Sequence, residues 1–540
     1  MKGTKNVCAC IMCVCGIYIL SCGSAGLIRT DIPLDRSGKP KITGITDLGG
    51  LPIPSTGPVS AGESDGIITP GEWIALNGDN ISKDTIADID GAKLPVQGYF
   101  NNGSILLRIP RGLSPRGEHR VTVKNSGGES SFSFTIRSYI VSADFDGENV
   151  RAIPTIPAGK KYLSEKLSKF NIGGAMACAL TAEGSLLAIA GGVDKENIGS
   201  GINSKIIIVN MAARNHPEEI ARFNTPVTSW PTALAFIDEH TLAVVSRSSF
   251  VIVDIFNPQN PAILGSVDLS KEAKSTERTI PQYLNEIAIL GNGKCALMDA
   301  VSNRIIFAAV EKGNIRVDSV FDVPESGDLP YSIDIAADPD DPDRCILLQG
   351  PNLRVGGEKI SRFIKSFSES SADGGKKEEV RVPCRILKIT SVSGHPSIVT
   401  KRTLSDKFFP MYLCAGKNDQ QYVSGINSDV LDFAGVDLSI KGAGRVVDVM
   451  KNTVQLGRVI KISGNTQQET VVQGMALYFN IDTLGDEAVY SIIRAGYRVL
   501  PPSVTAEWGI EVRKGGYVML KRLELKSLIP PYSVPVFVSQ

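Results

Sequence analysis

FVIVDIFNPQNPAILGSVDL, residues 250–269, reads as two β-strands joined by a turn. FVIVDI is built from β-branched and aromatic residues, Asn257, Pro258, Asn260 and Pro261 punctuate the turn, and AILGSVDL resumes the strand. The segment ahead of it, ALAFIDEHTLAVVSRS (233–248), is a strand, a polar turn and another strand. Residues 233–269 therefore carry four consecutive strands.

The same unit recurs along the chain. ALTAEGSLLAIAGG (179–192), EIAILGNGKCALMDA (286–300) and SIDIAADPDDPDRCILLQG (332–350) repeat the first pair of strands, with Leu180, Leu234, Ile287 and Ile333 at intervals of 54, 53 and 46 residues. KIIIVNM and RIIFAAV repeat the third strand, Val251 and Ile305 standing 54 apart, and EEIARF repeats the fourth. Four strands every ~45 to 54 residues predict β-propeller blades, because an isolated four-stranded sheet leaves both faces uncovered and radial packing covers them. An antiparallel solenoid is the less favoured alternative. Leu180, Leu234, Ile287 and Ile333 are expected at equivalent buried positions. Residues 142–540 divided by the repeat length give about seven blades, with six or eight open, and the least regular spacing falls after Val454.

The pattern IVDI, x, NP, xx, P within 250–269 resembles the third-to-fourth-strand unit of LVIVD/YVTN-like propeller repeats. IIIVNMAARNHPEEIARF is its counterpart one repeat earlier, and ILKITSVSGHPSIVTKRTL from Ile386 is a looser copy. SGINS occurs at both Ser200 and Ser424, each read as the approach to a strand. An insertion near 350–382, containing SFSESSADGGKKEEV, is too polar to bury a core and is expected to be mobile.

Residues 40–138 have a different rhythm. Pro40–Ile45, Glu72–Leu76, Ser104–Ile109, Val121–Val123 and Phe132–Ile136 are short runs separated by turn clusters, the pattern of an antiparallel sandwich. PKITGI, ITPGEWIALNGDNIS and GEHRVTVKNSGGESSFSFTI resemble the IPT/TIG group of immunoglobulin-like domains. That resemblance implies a spacer or protein-binding module without catalytic residues. The predicted fold is thus all-β, an immunoglobulin-like sandwich followed by a propeller of about seven blades.

The N-terminus supplies an address. Lys2 and Lys5 precede an apolar stretch, Val7–Leu20, too short to cross ~30 Å of hydrocarbon as a helix and expected to act as a signal peptide over residues 1–21. Ile19-Leu20-Ser21-Cys22 resembles a bacterial lipobox, which implies acylation of Cys22 and a lipidated tether over residues 22–39. Two or three acyl chains at ~0.8 kcal/mol per buried CH₂ hold a protein durably on a membrane. The residue after Cys22 is glycine, not aspartate, which in the Gram-negative lipoprotein pattern implies the outer membrane, facing either the periplasm or the exterior.

Composition narrows the chemistry. Lys plus Arg and Asp plus Glu are both 57, so no basic excess is available for a nucleic-acid footprint. Cys8, Cys10, Cys13 and Cys15 leave with the signal, and Cys178, Cys295, Cys345, Cys384 and Cys414 are expected to be buried free thiols. His119, His216, His240 and His395 show no metal-ligand spacing and are expected in solvated turns. Asp144–Asn149 has the DxDG start of a calcium loop but Thr155 where the bidentate Glu belongs, and Asp338–Asp343, between two blade strands, reads as an Asp/Pro turn with little calcium character. No nucleophile elbow, Walker loop or dinucleotide fingerprint occurs, so no catalytic, cofactor or metal residues are assigned. The leading expectation is a lipid-anchored binding or scaffold protein that presents the propeller to an envelope or extracellular protein or glycan. The alternative is a propeller-type carbohydrate-active lyase or hydrolase, with its acids scattered over several blades.

Overall fold

The computed structural model describes the strands and their closest turns between Ile28 and Ser539. Residues 1–27, 30–37, 49–67, 111–116, 192–204, 270–283, 352–383, 428–456 and 526–535, with shorter stretches between strands, lie outside the described residues. The chain divides into two units, 1–138 and essentially the remainder from Tyr139 onward.

The first unit is a two-sheet sandwich. One sheet holds Ile28–Arg29, Gly98–Phe100, Ile105–Arg108, Trp73–Asp79 and Lys41–Asp47 in that order, and the other holds Ala92–Leu94, Ile86–Ile89, Gly117–Asn125 and Gly128–Ile136. Alternate residues point inward from each, so Ile42, Ile74, Leu76, Ile105 and Leu107 of one sheet meet Ala87, Ile89, Val121, Val123 and Phe134 of the other in one core. Asn125 ties the edges together by donating from Nδ2 to the carbonyls of Gly38 (3.1 Å) and Asn80 (2.8 Å). A Cβ on Gly127 would lie 2.2 Å from the Gly38 oxygen, so the chain approaches here at a distance only glycine permits.

The second unit is a β-propeller, and among the described residues it contains seven sheets of at least four strands. Blade one is Ala177–Leu180, Leu186–Gly191, Lys205–Asn210 and Glu218–Asn224; blade two is Pro231–Phe236, Thr241–Ser246, Ser249–Asp254 and Ala262–Asp268. Blade three is Leu284–Ile289, Lys294–Asp299, Arg304–Glu311 and Asn314–Asp322; blade four is Tyr331–Ala337, Arg344–Gly350, Arg385–Val392 and His395–Thr403. Blade five is Phe408–Gly416, Gln420–Asn427, Gly457–Ser463 and Thr466–Val471, and blade six is Ala476–Leu484, Glu487–Arg498, Ser503–Val512 and Gly516–Leu525.

The seventh sheet is assembled from both ends of the unit. Val536–Ser539 pairs antiparallel with Tyr139–Ala143, followed by Asn149–Pro154 and Ser168–Lys169. The first strands of successive blades neighbour one another, and Val536–Ser539 neighbours the first strands of both blade six and blade one. The ring is therefore closed by strand pairing. The segment after Val454, irregular in its sequence spacing, holds the last two strands of blade five, all of blade six and the strand that closes the ring.

Burial explains the composition of the strands. Second and third strands such as LLAIAG, KIIIVN, FVIV and CALMD are buried on both faces because a neighbouring blade covers each side. Fourth strands such as EEIARFN and AILGSVD mix exposed and half-buried residues because they form the outer rim. Between blades three and four, Ala296, Met298, Ile305 and Phe307 pack on Cys345, Leu347, Leu387 and Ile389.

The strand register corrects one sequence expectation. Leu234 and Ile287 are equivalent, opposite Val244 and Leu297. The matching residue of blade four is Ile335, opposite Leu347, whereas Ile333 falls in a bulge two residues earlier and faces the core shared with blade five. Blade one is also shifted: Leu180 lies opposite Leu187, at the turn end of its strand. Leu234 and Ile333 are buried, and Leu180 and Ile287 are half-buried. Of the SGINS echo, Ser424–Asn427 lies within a second strand and not on the approach to one, and 200–204 lies outside the described residues.

Candidate functional site

Alternation of strand direction sends every second-to-third and every fourth-to-first connection to one end of the propeller. The three longest connections, 269–283, 351–384 and 428–456, all leave at that end. Most first-to-second and third-to-fourth connections, at the opposite end, are tight turns such as Lys312-Gly313, both at positive φ.

The connection-rich end is held by buried polar side chains. In the first strands of blades two to five a bulge falls near it, after Pro231, Leu284, Ser332 and Pro410. The bulged Thr232 donates from Oγ1 to the Leu284 carbonyl of the next blade at 2.7 Å. Asn303, in the left-handed conformation at φ 54°, closes the turn into the third strand of blade three. Its Oδ1 accepts from the Ser332 amide (3.1 Å), Ser332 Oγ (2.7 Å) and Gln349 Nε2 (3.1 Å), and its Nδ2 donates to Val323 O at 2.9 Å. Gln349 Oε1 in turn accepts from Arg385 Nε at 2.6 Å, and Arg385 Nη2 donates to the carbonyl of Pro324. Gln349 and Arg385 flank the departure and return of the 351–384 connection, so both its stems are fixed by one buried network.

Arginine recurs at this position. Arg304, Arg385 and Arg458 each open or lie next to the opening of a third strand, directly opposite Asp299, Gln349 and Gly425 on the second strands. Arg304 is compensated by Asp322, Nε to Oδ1 at 2.5 Å. Arg385, 6% exposed, has hydrogen bonds to an amide and a carbonyl, and burial pulls its guanidinium below the usual pKa. The signal was present in the sequence as NRIIF, CRILK and GRVIK, but it takes the register to show that these arginines share one end.

At the opposite end the acidic run Asp338–Asp343 forms the turn expected between two blade strands, and it also clasps the neighbouring blades. Asp338, with 1% of its side chain exposed, accepts from Lys388 Nζ at 2.9 Å and lies 3.4 Å from Arg344. Lys388 also reaches Asp419 of blade five at 2.7 Å, and Asp340 accepts from the amides of Asn418 and Asp419 at 3.0 and 2.7 Å. Asp343 takes Lys294 of blade three at 2.5 Å, and Pro342 O accepts from Gly291 N at 2.7 Å. These amides hold the Asp340 carboxyl below its ordinary pKa, and for Lys388 the pull of Asp419 and Asp338 outweighs desolvation and raises the ammonium. Beside this clasp a cleft of about 330 Å³ between blades three and four is lined by Lys294, Cys295, Arg316, Asp318 and Ser391. Arg316 is paired with Asp318 and Glu311 and Lys294 with Asp343, so the cleft has no uncompensated cation.

Cys22 lies outside the described residues, as do the sandwich residues 49–67, His216 and Asp144–Gly147. His119 departs from the solvated-turn expectation: it is 5% exposed on a central strand, with Nδ1 2.6 Å from Asp90 Oδ2. His240 stacks edge-on against Phe256. Cys295, Cys345, Cys384 and Cys414 are buried free thiols and Cys178 a half-buried one, burial pushing Cys295 and Cys345 up to about 12. Among the described residues no group of three or more His, Cys, Asp or Glu is placed to hold a metal ion, and no helix is long and apolar enough to cross a membrane.

No family model matches the chain, and no curated protein matches it. Among solved structures it is similar to a Lactobacillus plantarum protein (11% identity, TM-score 0.40, covering 75% of this chain and 100% of that one). It is also similar to a quinonprotein alcohol dehydrogenase-like protein of Bacteroides thetaiotaomicron (11%, 0.36, 92% and 98%) and to the periplasmic gluconolactonase of Pseudomonas aeruginosa (9%, 0.31, 74% and 99%). Similarity at this level carries no inference about activity, and the propeller assignment rests on the closed ring of sheets described above.

Proposed function

We propose that the chain is a lipid-anchored binding protein of the bacterial cell envelope, attached through Cys22 to the outer membrane. In this reading its sandwich is an IPT/TIG-type module, and its propeller offers the connection-rich end to a protein or glycan partner. The observation that carries the reading is the clustering of the three longest connections at one end, over a scaffold whose buried polar network fixes the stems of the longest of them. Rigid blades that present long loops are a common arrangement for recognition, since insertions there leave the core untouched.

Two measurements test it. Cys22→Ser is expected to abolish metabolic palmitate labelling and to move the protein from the detergent phase to the aqueous phase; an unlabelled, aqueous wild-type protein overturns the anchor. Affinity capture of envelope proteins and glycans by the full chain, followed by mass spectrometry, is expected to retain an unmodified stoichiometric partner. That partner is lost when 352–383 is replaced by a short Gly-Ser turn. A shortened glycan, or capture indifferent to that replacement, overturns the binding assignment.

A further inference from the structure

The cleft between blades three and four, about 330 Å³, falls within the range of small-molecule pockets, ~300 to 1,000 Å³. Its lining residues are all among the described ones, and the three long connections leave from the other end of the propeller. Phe307 and Ala308, 3% and 1% exposed, give it an apolar base. Arg316 and Asp318 form one wall, Nε to Oδ1 at 2.7 Å, and Lys294, held by Asp343 at 2.5 Å, forms another. Ser391 adds a hydroxyl-bearing side chain from blade four, on the face of its strand that also carries Leu387 and Ile389. A Cβ on Gly394 would meet only the Asp318 carbonyl oxygen, at 3.9 Å, so this turn leaves the mouth of the cleft open.

That lining discriminates by charge. Each cation already has a carboxylate, so a charged ligand enters only by displacing one partner of a pair. A hydroxyl group meets no such barrier, because it accepts from the guanidinium or ammonium and donates to the carboxylate beside it, and both hydrogen bonds are charge-assisted. The apolar base suits the C–H face of a saturated ring. We infer that the cleft is a subsite for one neutral sugar residue, a pyranose whose hydroxyls engage the Arg316–Asp318 pair on one side and Lys294 on the other. The subsite goes beyond the binding role proposed above, since it lies at the end opposite the long connections and needs neither them nor Cys22.

The test is ligand-observed saturation-transfer NMR of the full chain with the methyl glycosides of glucose, galactose, mannose and N-acetylglucosamine, followed by calorimetric titration of those that respond. At least one is expected to bind saturably at one site, whereas glutarate and methylammonium at the same millimolar concentrations are expected not to bind. Arg316→Ala, and Ser391→Leu, which fills the cleft, should each weaken that glycoside on the order of tenfold or more. Arg222→Gln, which alters a surface ion pair with Glu219, should leave it unchanged. The Arg316 side chain is 66% exposed, so Arg316→Ala keeps the test decisive should Ser391→Leu fail to fold. Replacing 352–383 by a Gly-Ser turn should leave glycoside binding intact, which separates this subsite from capture at the other end. Absence of saturable binding of all four glycosides overturns the inference, as does preferential binding of either ion, binding that Arg316→Ala leaves intact, or binding lost with 352–383.

Discussion

Replacing Lys388 by methionine tests whether the acidic turn of blade four is a clasp. The substitution keeps the stem length and removes the ammonium that bridges Asp338 of blade four to Asp419 of blade five. Taking one partner from a buried ion pair costs ~3 to 5 kcal/mol, because the remaining charge is stranded in low dielectric. Asp338 has 1% of its side chain exposed, but Arg344 stays 3.4 Å from the same oxygen and keeps part of the compensation, which brings the loss below that range, to about 2 to 3 kcal/mol. The Asp419 arm is 40% exposed and adds about 0.5 kcal/mol or less. Asp338→Asn alone should be milder, because the amide still accepts a hydrogen bond while Lys388 retains Asp419. The double variant should therefore be more stable than the sum of the singles by about 1 to 2 kcal/mol. Urea unfolding of the full chain, followed by circular dichroism through the propeller transition at unchanged m-value, measures each corner. The pH dependence gives a second readout. Lys388 is raised in the folded state, so its contribution is complete below the ordinary lysine value and is lost as pH rises through the higher folded one. Wild type should accordingly fall more steeply than Lys388→Met on the alkaline side. Additive single losses with parallel alkaline limbs would refute the clasp.

Two further outcomes are expected. Truncation after Leu525 removes Val536–Ser539 and leaves Tyr139–Ala143 as an unpaired edge, so amide exchange protection across Tyr139–Ala143 should collapse and aggregation should rise, while the sandwich core around Ile74 and Val121 stays protected; retained protection would mean that the ring does not depend on that strand. In the sandwich, the Arg120 amide and then His119 hold Asp90 below its ordinary carboxyl value, so its contribution is present above about pH 4 and is lost as pH falls through the lowered value; the unfolding midpoint should drop more below that pH in wild type than in Asp90→Asn, and identical acid limbs would exclude the contact.

Much of the propeller was legible because its core imposes a period. Second and third strands have a blade on each side, so they must be apolar on both faces, and the resulting VIVD, IIFA and IIIV runs recur at the blade spacing. The turn chemistry was legible for the same reason. Asp254 accepts the Phe256 amide at 2.8 Å, and Asn260 donates to Asn257 O at 2.9 Å, which is why Asp, Asn and Pro recur in that connection. Closure was not legible. Val536–Ser539 lies nearly 400 residues from its partner Tyr139–Ala143, and a four-residue strand carries no signal of which distant edge it completes.

The arginines show where sequence reasoning on charge stops. Arg304, Arg385 and Arg458 are indistinguishable in the sequence, each a basic residue before an apolar run. What separates Arg304 from Arg385 is the residue across the register, Asp299 or Gln349, and that pairing depends on where the second strand ends and on the bulge that shifts the first. A one-residue slip would set each arginine opposite a different residue and turn it to the other face of its sheet. The same dependence governs the acidic turn: DPDDPD has the composition of a cation loop, yet Lys388, Lys294 and Arg344 reach it from strands that only the blade geometry brings together. Charge chemistry in this fold is set by contacts between blades, and composition becomes informative about it only after the register is known.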